Sequence, residues 1–203
     1  MTGAGRLKPV AETADGESGG RTMTEELQDS LTGVWSRFGL LFFAEHYLKL
    51  LRRVKREMAL FVVGVDGLPA DGADGTWTPA HEASLKETAR LLRRTFRTSD
   101  AVARIGPDLF AILLLETSDL GAEVLLTRLE DRLAEWKAEH PDLPPLTLSL
   151  VVDRVRADQE MTFVAALSRI VAALRRRQAD EADGDGPSSA TRGWSTDIVL
   201  PAG

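Results

Sequence analysis

The stretch that decides the fold is Arg97-Thr-Ser-Asp-Ala-Val-Ala-Arg-Ile-Gly-Pro-Asp-Leu-Phe110. Two apolar runs flank its tight Gly-Pro-Asp turn, which predicts a β-hairpin with strands over Ala101–Ile105 and Leu109–Leu115. Just before the hairpin, an arginine and an aspartate stand three residues apart, where a helix is expected to end.

Helical and strand patterns alternate around this hairpin. Apolar spacing, a proline suited to a first turn and Ser or Asp capping signals predict four helices, over Phe38–Arg56, Pro79–Phe96, residue 118 or 119 to Glu139, and Met161–Gln178. Valine- and leucine-rich runs predict two further strands, over Ala59–Asp66 and Leu146–Asp153. The order α-β-α-β-β-α-β-α predicts an α/β sandwich with helices packed against one sheet.

The ends of the chain differ in composition from its centre. Residues 1–22 are poor in large apolar groups and predict a disordered tail, residues 23–180 predict one domain, and residues 181–203 predict a flexible C-terminal tail. Within the second tail, the apolar stretch Trp194–Pro201 is either a docking peptide, for a partner protein or for the domain itself, or a loosely ordered terminus.

Composition excludes several classes of protein. The chain has 203 residues, no cysteine, three dispersed histidines and a net charge of −6, which argues against disulfides, a zinc site and general nucleic-acid binding. No apolar run approaches the roughly 20 residues that span a bilayer, so no membrane span is expected. The sequence therefore predicts a cytoplasmic protein.

Several short motifs, in order, resemble those of GGDEF domains, the diguanylate cyclase family, over about residues 25–180. They are Asp29-Ser-Leu-Thr-Gly-Val-Trp-Ser-Arg37, Phe61-Val-Val-Gly-Val-Asp66, the helix start at His81, the hairpin strands, and Leu148-Ser-Leu-Val-Val152. The resemblance implies the palm-like fold of nucleotidyl cyclases, an α+β sandwich whose mostly antiparallel sheet is flanked by helices.

The same resemblance implies a degenerate catalytic centre. The family's Gly-Gly-Asp/Glu-Glu-Phe hairpin is here Gly106-Pro107-Asp108-Leu109-Phe110, and the first metal-binding aspartate is replaced by Gly64. Glycine offers no carboxylate to magnesium, which prefers hard oxygen ligands, so neither a bound magnesium ion nor another cofactor is expected. Asp66 and Asp108 either hold a weak cation or are ordinary strand-end and turn aspartates.

The Arg97-Thr-Ser-Asp100 motif resembles the family's Arg-x-x-Asp inhibitory site, which binds the product cyclic di-GMP. A guanidinium can donate two parallel bonds to guanine or phosphate, a carboxylate can accept from the guanine edge, and the family's second arginine corresponds to Arg128. The resemblance thus implies a catalytically inactive cyclic di-GMP receptor, signalling through a ligand-bridged homodimer or an unidentified partner protein. Arg97 and Asp100 also fit a plain surface ion pair. Two further hypotheses remain: a protein-interaction scaffold that binds no nucleotide, and a surviving enzyme.

Overall fold

The structure is a computed structural model that describes residues 26–54, 56–68, 77–115, 119–141, 143, 146–156, 162–182 and 196–198. In chain order, its elements are β1 (Trp35–Ser36), α1 (Arg37–Val54), β2 (Glu57–Val65), α2 (Pro79–Thr95), β3 (Ala101–Arg104), β4 (Leu109–Leu115), α3 (Asp119–Glu139), β5 (Leu148–Arg156), α4 (Phe163–Ala182) and β6 (Thr196–Ile198). The predicted order of four helices and four strands is confirmed, with two short strands added.

One sheet in the order β1-β3-β4-β2-β5-β6 organises the domain. Its four inner strands pair antiparallel, whereas β1 and β6 lie parallel to their neighbours at the two edges. This arrangement agrees with the predicted mostly antiparallel sheet flanked by helices. Within the described residues, no helix is long and apolar enough to cross a membrane.

The strand directions fix the directions of α2 and α3. Because β2 and β3 both run antiparallel to β4, they are parallel to each other, and α2 connects them by a crossover. The strands β4 and β5 are likewise parallel and are connected by α3. The two helices therefore run antiparallel, side by side on one face of the sheet.

Each face of the sheet has its own apolar core, because β2 and β4 are buried on both sides. Phe61, Phe110 and Leu92 belong to the core beneath α2 and α3. Leu40 and Phe163 belong to the core beneath α1 and α4. Two full layers of helices therefore sandwich the sheet.

Local chemistry explains where α2 begins. The Thr78 hydroxyl accepts from the backbone N–H of His81, the His81 ring accepts from the backbone N–H of Thr78, and Pro79 takes the first helical position. The predicted start at Pro79 is therefore confirmed. At the other end of the chain, α4 continues to Ala182, one turn beyond its predicted end at Gln178.

Candidate functional site

A buried ion pair joins the hairpin turn to the last helix. Asp108 is 1 % exposed, and each of its carboxylate oxygens accepts a 2.6 Å hydrogen bond from the Arg175 guanidinium on α4. The hydrogen bonds to Asp108 raise the pKa of Arg175 above its ordinary value, and the negative charge of Asp108 adds to this rise. Burial of the guanidinium acts in the opposite direction. The predicted turn aspartate is thus fully engaged with a cation of its own chain.

The second retained acid, Asp66, lies at the end of β2 beside this ion pair. Its Oδ1 accepts hydrogen bonds from the Ser149 hydroxyl at 2.7 Å and from the Gln178 side-chain amide at 2.9 Å. Gln178 in turn accepts from Arg175 at 2.8 Å. These five residues, Asp66, Asp108, Ser149, Arg175 and Gln178, form one continuous polar network, hereafter the hairpin corner.

Burial is the main influence on the pKa of Asp66. Removal from water raises the pKa of its carboxyl above 3.8, and the negative charge of Glu181 adds to the rise, while Ser149, Gln178 and the charge of Arg177 oppose it. Asp66 therefore ionises less readily than an exposed aspartate.

Gly64 lies directly against side chains of α4. A β-carbon built there would lie 2.6 Å from Gln178 Nε2 and 3.2 Å from Leu174 Cδ2. The position at which the family resemblance places a metal-binding carboxylate is therefore filled by side chains of α4. No group of three or more potential metal ligands occurs among the residues that the structure describes.

The altered hairpin residues are integrated into the fold. Leu109, where the family has an acid, is buried in the core beneath α1 and α4. The Pro107 carbonyl accepts from the Arg104 guanidinium at 2.8 Å, and Arg104 also meets Asp29 at 3.4 Å. Gly106 adopts no left-handed conformation, and a β-carbon there would make ordinary contacts with Leu109.

Arg97 and Asp100 lie together at the end of α2, but they do not form the simple ion pair. Asp100 Oδ2 accepts from the backbone N–H of Arg97 at 2.9 Å, and the backbone N–H of Asp100 donates to the Arg97 carbonyl at 3.0 Å. Among the described residues, no ion pair engages the exposed Arg97 guanidinium. Burial raises the pKa of Asp100. The backbone hydrogen bonds from Arg97 and Leu115 and the positive charge of Arg97 act in the opposite direction and lower it.

Both residues line a cavity of about 220 Å³, hereafter the Trp35 cavity. Trp35, Arg93 and Phe96 also line it, along with residues of the loop before β1 and with Val102 of β3. The residues that line this cavity thus include a tryptophan, two arginines and an aspartate.

Arg128 does not line this cavity, and no hydrogen bond or ion pair joins it to Arg97 or Asp100 among the described residues. A contact between α2 and α3 fixes how far along α2 this residue lies. The Trp136 indole on α3 donates to Glu87 on α2 at 3.3 Å. Arg128 lies eight residues before Trp136 and Thr95 eight after Glu87, about 12 Å along each antiparallel helix. Arg128 is therefore level with the end of α2 and is exposed.

Sequence reasoning did not predict the positions of three residues in the hairpin corner and the Trp35 cavity. The run Arg175-Arg-Arg177 is typical of a solvated helix face, yet Arg175 reaches the buried Asp108. The sequence also did not predict that Trp35 and Arg93 lie beside Arg97 and Asp100, as the lining of the Trp35 cavity shows. Their proximity depends on the parallel pairing of β1 with β3, which places Trp35 opposite Ala103. A pairing between residues 68 positions apart leaves no local signal in the sequence.

Comparison with known proteins establishes the family. Residues 26–182 match the family model described as diguanylate cyclase, GGDEF domain, and the chain belongs to this family. No curated protein matches it in sequence.

Solved structures share the fold at low identity. The GGDEF domain of FimX from Pseudomonas aeruginosa is 22% identical, with a TM-score of 0.62 over 84% of this chain and 99% of that one. The GGDEF domain of DgcB from Caulobacter crescentus, solved in complex with c-di-GMP, is 19% identical, with a TM-score of 0.63 over 90% of this chain and 98% of that one. Diguanylate cyclase SiaD from Pseudomonas aeruginosa, solved with its activator SiaC, is 22% identical, with a TM-score of 0.65 over 87% of this chain and 64% of that one.

Proposed function

We propose that this protein is a catalytically inactive GGDEF domain that binds cyclic di-GMP at Arg97, Asp100 and Arg128. The observation that carries the proposal is the Trp35 cavity, which the exposed Arg97 and the neighbouring Asp100 both line. The Arg97 guanidinium is available for a ligand because Asp100 is held by the backbone N–H of Arg97, not by its side chain. The related DgcB domain was solved with c-di-GMP bound.

The hairpin corner supports the absence of catalysis. Both retained acids are engaged within the chain, Asp108 by Arg175 and Asp66 by Ser149 and Gln178. A magnesium ion at this position would have to displace a buried two-bond ion pair, and Gly64 supplies no ligand in return. We expect no cyclic di-GMP to form when GTP and magnesium are added to the purified protein; product above the level of a heat-inactivated sample would refute inactivity.

Ligand-dependent stabilisation tests the receptor function. Cyclic di-GMP present at 100 times its Kd should stabilise the folded state by about 2.7 kcal/mol, measured as a rise in melting temperature. Arg97→Ala should remove this rise without lowering the melting temperature of the free protein, because the backbone contact to Asp100 remains. Arg176→Ala, an exposed arginine on the opposite face of the sheet, is the matched control and should retain the rise. A rise that survives in Arg97→Ala would contradict this site.

Arg128 enters the proposal as the third ligand residue. Because it is level with the end of α2, it can contact a ligand that protrudes from the Trp35 cavity. Arg128→Ala should weaken binding without abolishing it. A ligand shared between two copies would double the mass of the complex in light scattering.

A protein-interaction scaffold is the second candidate, favoured by the outer surface of α1. Phe38, Phe42, Leu50 and Val54 fall on one i, i+4 row and are 48–53% exposed, and the Phe42 ring lies 5.5 Å from that of His46. On this view nucleotide has no effect on the melting temperature of the wild-type protein. The scaffold and the receptor are thus separated by the same titration.

A further inference from the structure

Besides Arg97 and Asp100, the Trp35 cavity is lined by further residues whose side chains are suited to binding a nucleotide. Trp35 is 37% exposed, and its indole stacks on Phe43 with ring centroids 6.4 Å apart and an interplanar angle of 24°. Pairing with Ala103 holds its backbone against β3. The indole is therefore fixed before any ligand arrives, and an aromatic plane held in this way is suited to stacking on a base.

Glycines on two sides make this arrangement possible. A β-carbon at Gly39 would lie 2.8 Å from Trp35 Cε3, so only glycine leaves room for the indole. Gly33 has a φ of 69°, the left-handed conformation that glycine tolerates, and it turns the chain into β1. A β-carbon at Gly33 would approach the Arg93 guanidinium at 3.9 Å, which shows that Arg93 extends along this turn.

We infer that Trp35 and Arg93 complete the ligand site: one guanine base stacks on Trp35, Asp100 accepts from the base edge, and Arg93 joins Arg97 in binding the phosphate. This inference rests on the proposed function. Asp100 has capacity for the base, since an ionised carboxylate has about four acceptor positions and backbone N–H groups of Arg97 and Leu115 take two. Two arginines and one aspartate among the lining residues give the cavity the net positive charge that a phosphate requires.

The size of the cavity limits how much of the ligand enters. Its volume of about 220 Å³ is below the roughly 300–1,000 Å³ of pockets that enclose a drug-sized molecule. One base with its adjacent phosphate therefore occupies the Trp35 cavity, and the second half of cyclic di-GMP remains outside. That half is free to meet Arg128 or a second copy of the chain.

Tryptophan fluorescence and matched arginine variants test the inference on the full chain. Cyclic di-GMP should quench the wild-type emission, and Trp35→Phe should lose the quenching that Trp136→Phe keeps. Trp35→Leu should weaken binding about 5- to 150-fold, the loss that follows removal of one stacked aromatic. Arg93→Ala should weaken binding about tenfold, as expected for one hydrogen-bonded charge pair, whereas Arg94→Ala should not, because Arg94 lines a different cavity between α2 and α3.

The outcomes separate this inference from the proposed function. Wild-type affinity in both Trp35→Leu and Arg93→Ala, with binding lost in Arg97→Ala, overturns the inference and leaves the receptor intact. No binding by the wild-type protein overturns both. Equal loss in Arg93→Ala and Arg94→Ala would indicate a general charge effect and would also overturn the inference. Arg93 is exposed, so its variant remains informative if Trp35→Leu fails to fold.

Discussion

At the scale of single residues, Arg175 determines the state of the hairpin corner. Asp108 is nearly inaccessible to water, and a buried carboxylate without a partner is costly. The arginine supplies that partner from α4 and also orients Gln178 toward Asp66. One side chain thus neutralises one acid of the corner and positions the group that contacts the other.

Removing Arg175 should destabilise the protein strongly. In Arg175→Met the Asp108 carboxylate keeps its burial and loses its ion pair, and we expect a loss of about 3 kcal/mol in the free energy of unfolding. The neighbouring Arg176→Met, at an exposed position, should cost less than about 0.5 kcal/mol. Urea unfolding of both variants measures the difference; equal stabilities would show that the ion pair contributes nothing.

Asp66 predicts a pH-dependent effect. Burial raises the pKa of the Asp66 carboxyl in the folded state. The stabilisation from its protonated form is therefore complete below pH 3.8 and is lost as the pH rises through the folded-state pKa. Asp66→Asn keeps the accepting oxygen and removes the charge. The variant should therefore melt at a higher temperature than wild type at pH 7 and lose this advantage below pH 3.8. A variant that is less stable at pH 7 would contradict the assignment.

Gly64→Asp supplies the carboxylate that the family resemblance places at this position, but it should not produce diguanylate cyclase activity. Gln178, whose amide nitrogen lies 2.6 Å from the added β-carbon, would have to shift and give up its hydrogen bond to Asp66, and Arg175 would still pair with Asp108. We expect a lower melting temperature and no cyclic di-GMP from GTP and magnesium. Turnover by this single variant would show that the hairpin corner opens easily.

At the scale of elements, long patterned segments were predictable and short edge strands were not. The strand β2 is a continuous apolar run, and α2 carries a proline and a capping threonine at its start, so local sequence identified both. The strands β1 and β6 have two and three residues and are defined by pairing with β3 and β5. Segments that short contain no periodicity from which pairing can be inferred.

The strand β6 predicts a role for the end of the chain. It pairs with β5 over Leu150–Val152, at one edge of the sheet. Ending the chain at Ala182 removes β6 and exposes that edge, which favours pairing with another molecule. We expect the shortened protein to show a concentration-dependent rise in mass by light scattering, whereas the full chain does not in the absence of ligand. An unchanged monomer would show that β6 does not protect the edge.

At the scale of the whole molecule, the sequence indicated the family, but it did not indicate which distant residues the fold brings beside the predicted ones. Arg97 and Asp100 are three residues apart, so a motif sufficed to predict that they meet. The hairpin corner joins β2, the hairpin turn, β5 and α4, and the Trp35 cavity joins β1, α2 and β3. Contacts between distant segments depend on the sheet order, which no single stretch of sequence encodes. The comparisons confirm the family and the fold; the ligand remains a prediction.

Calorimetric titration of cyclic di-GMP into the purified full chain tests the central claim most directly. The account predicts binding with a Kd in the micromolar range or tighter, lost in Arg97→Ala and unchanged in Arg176→Ala. A stoichiometry above one ligand per chain would indicate ligand pairs at the site. Absence of heat at high ligand concentration and at two temperatures, with the protein folded, would contradict the receptor and leave the apolar row of α1 as the surface to pursue.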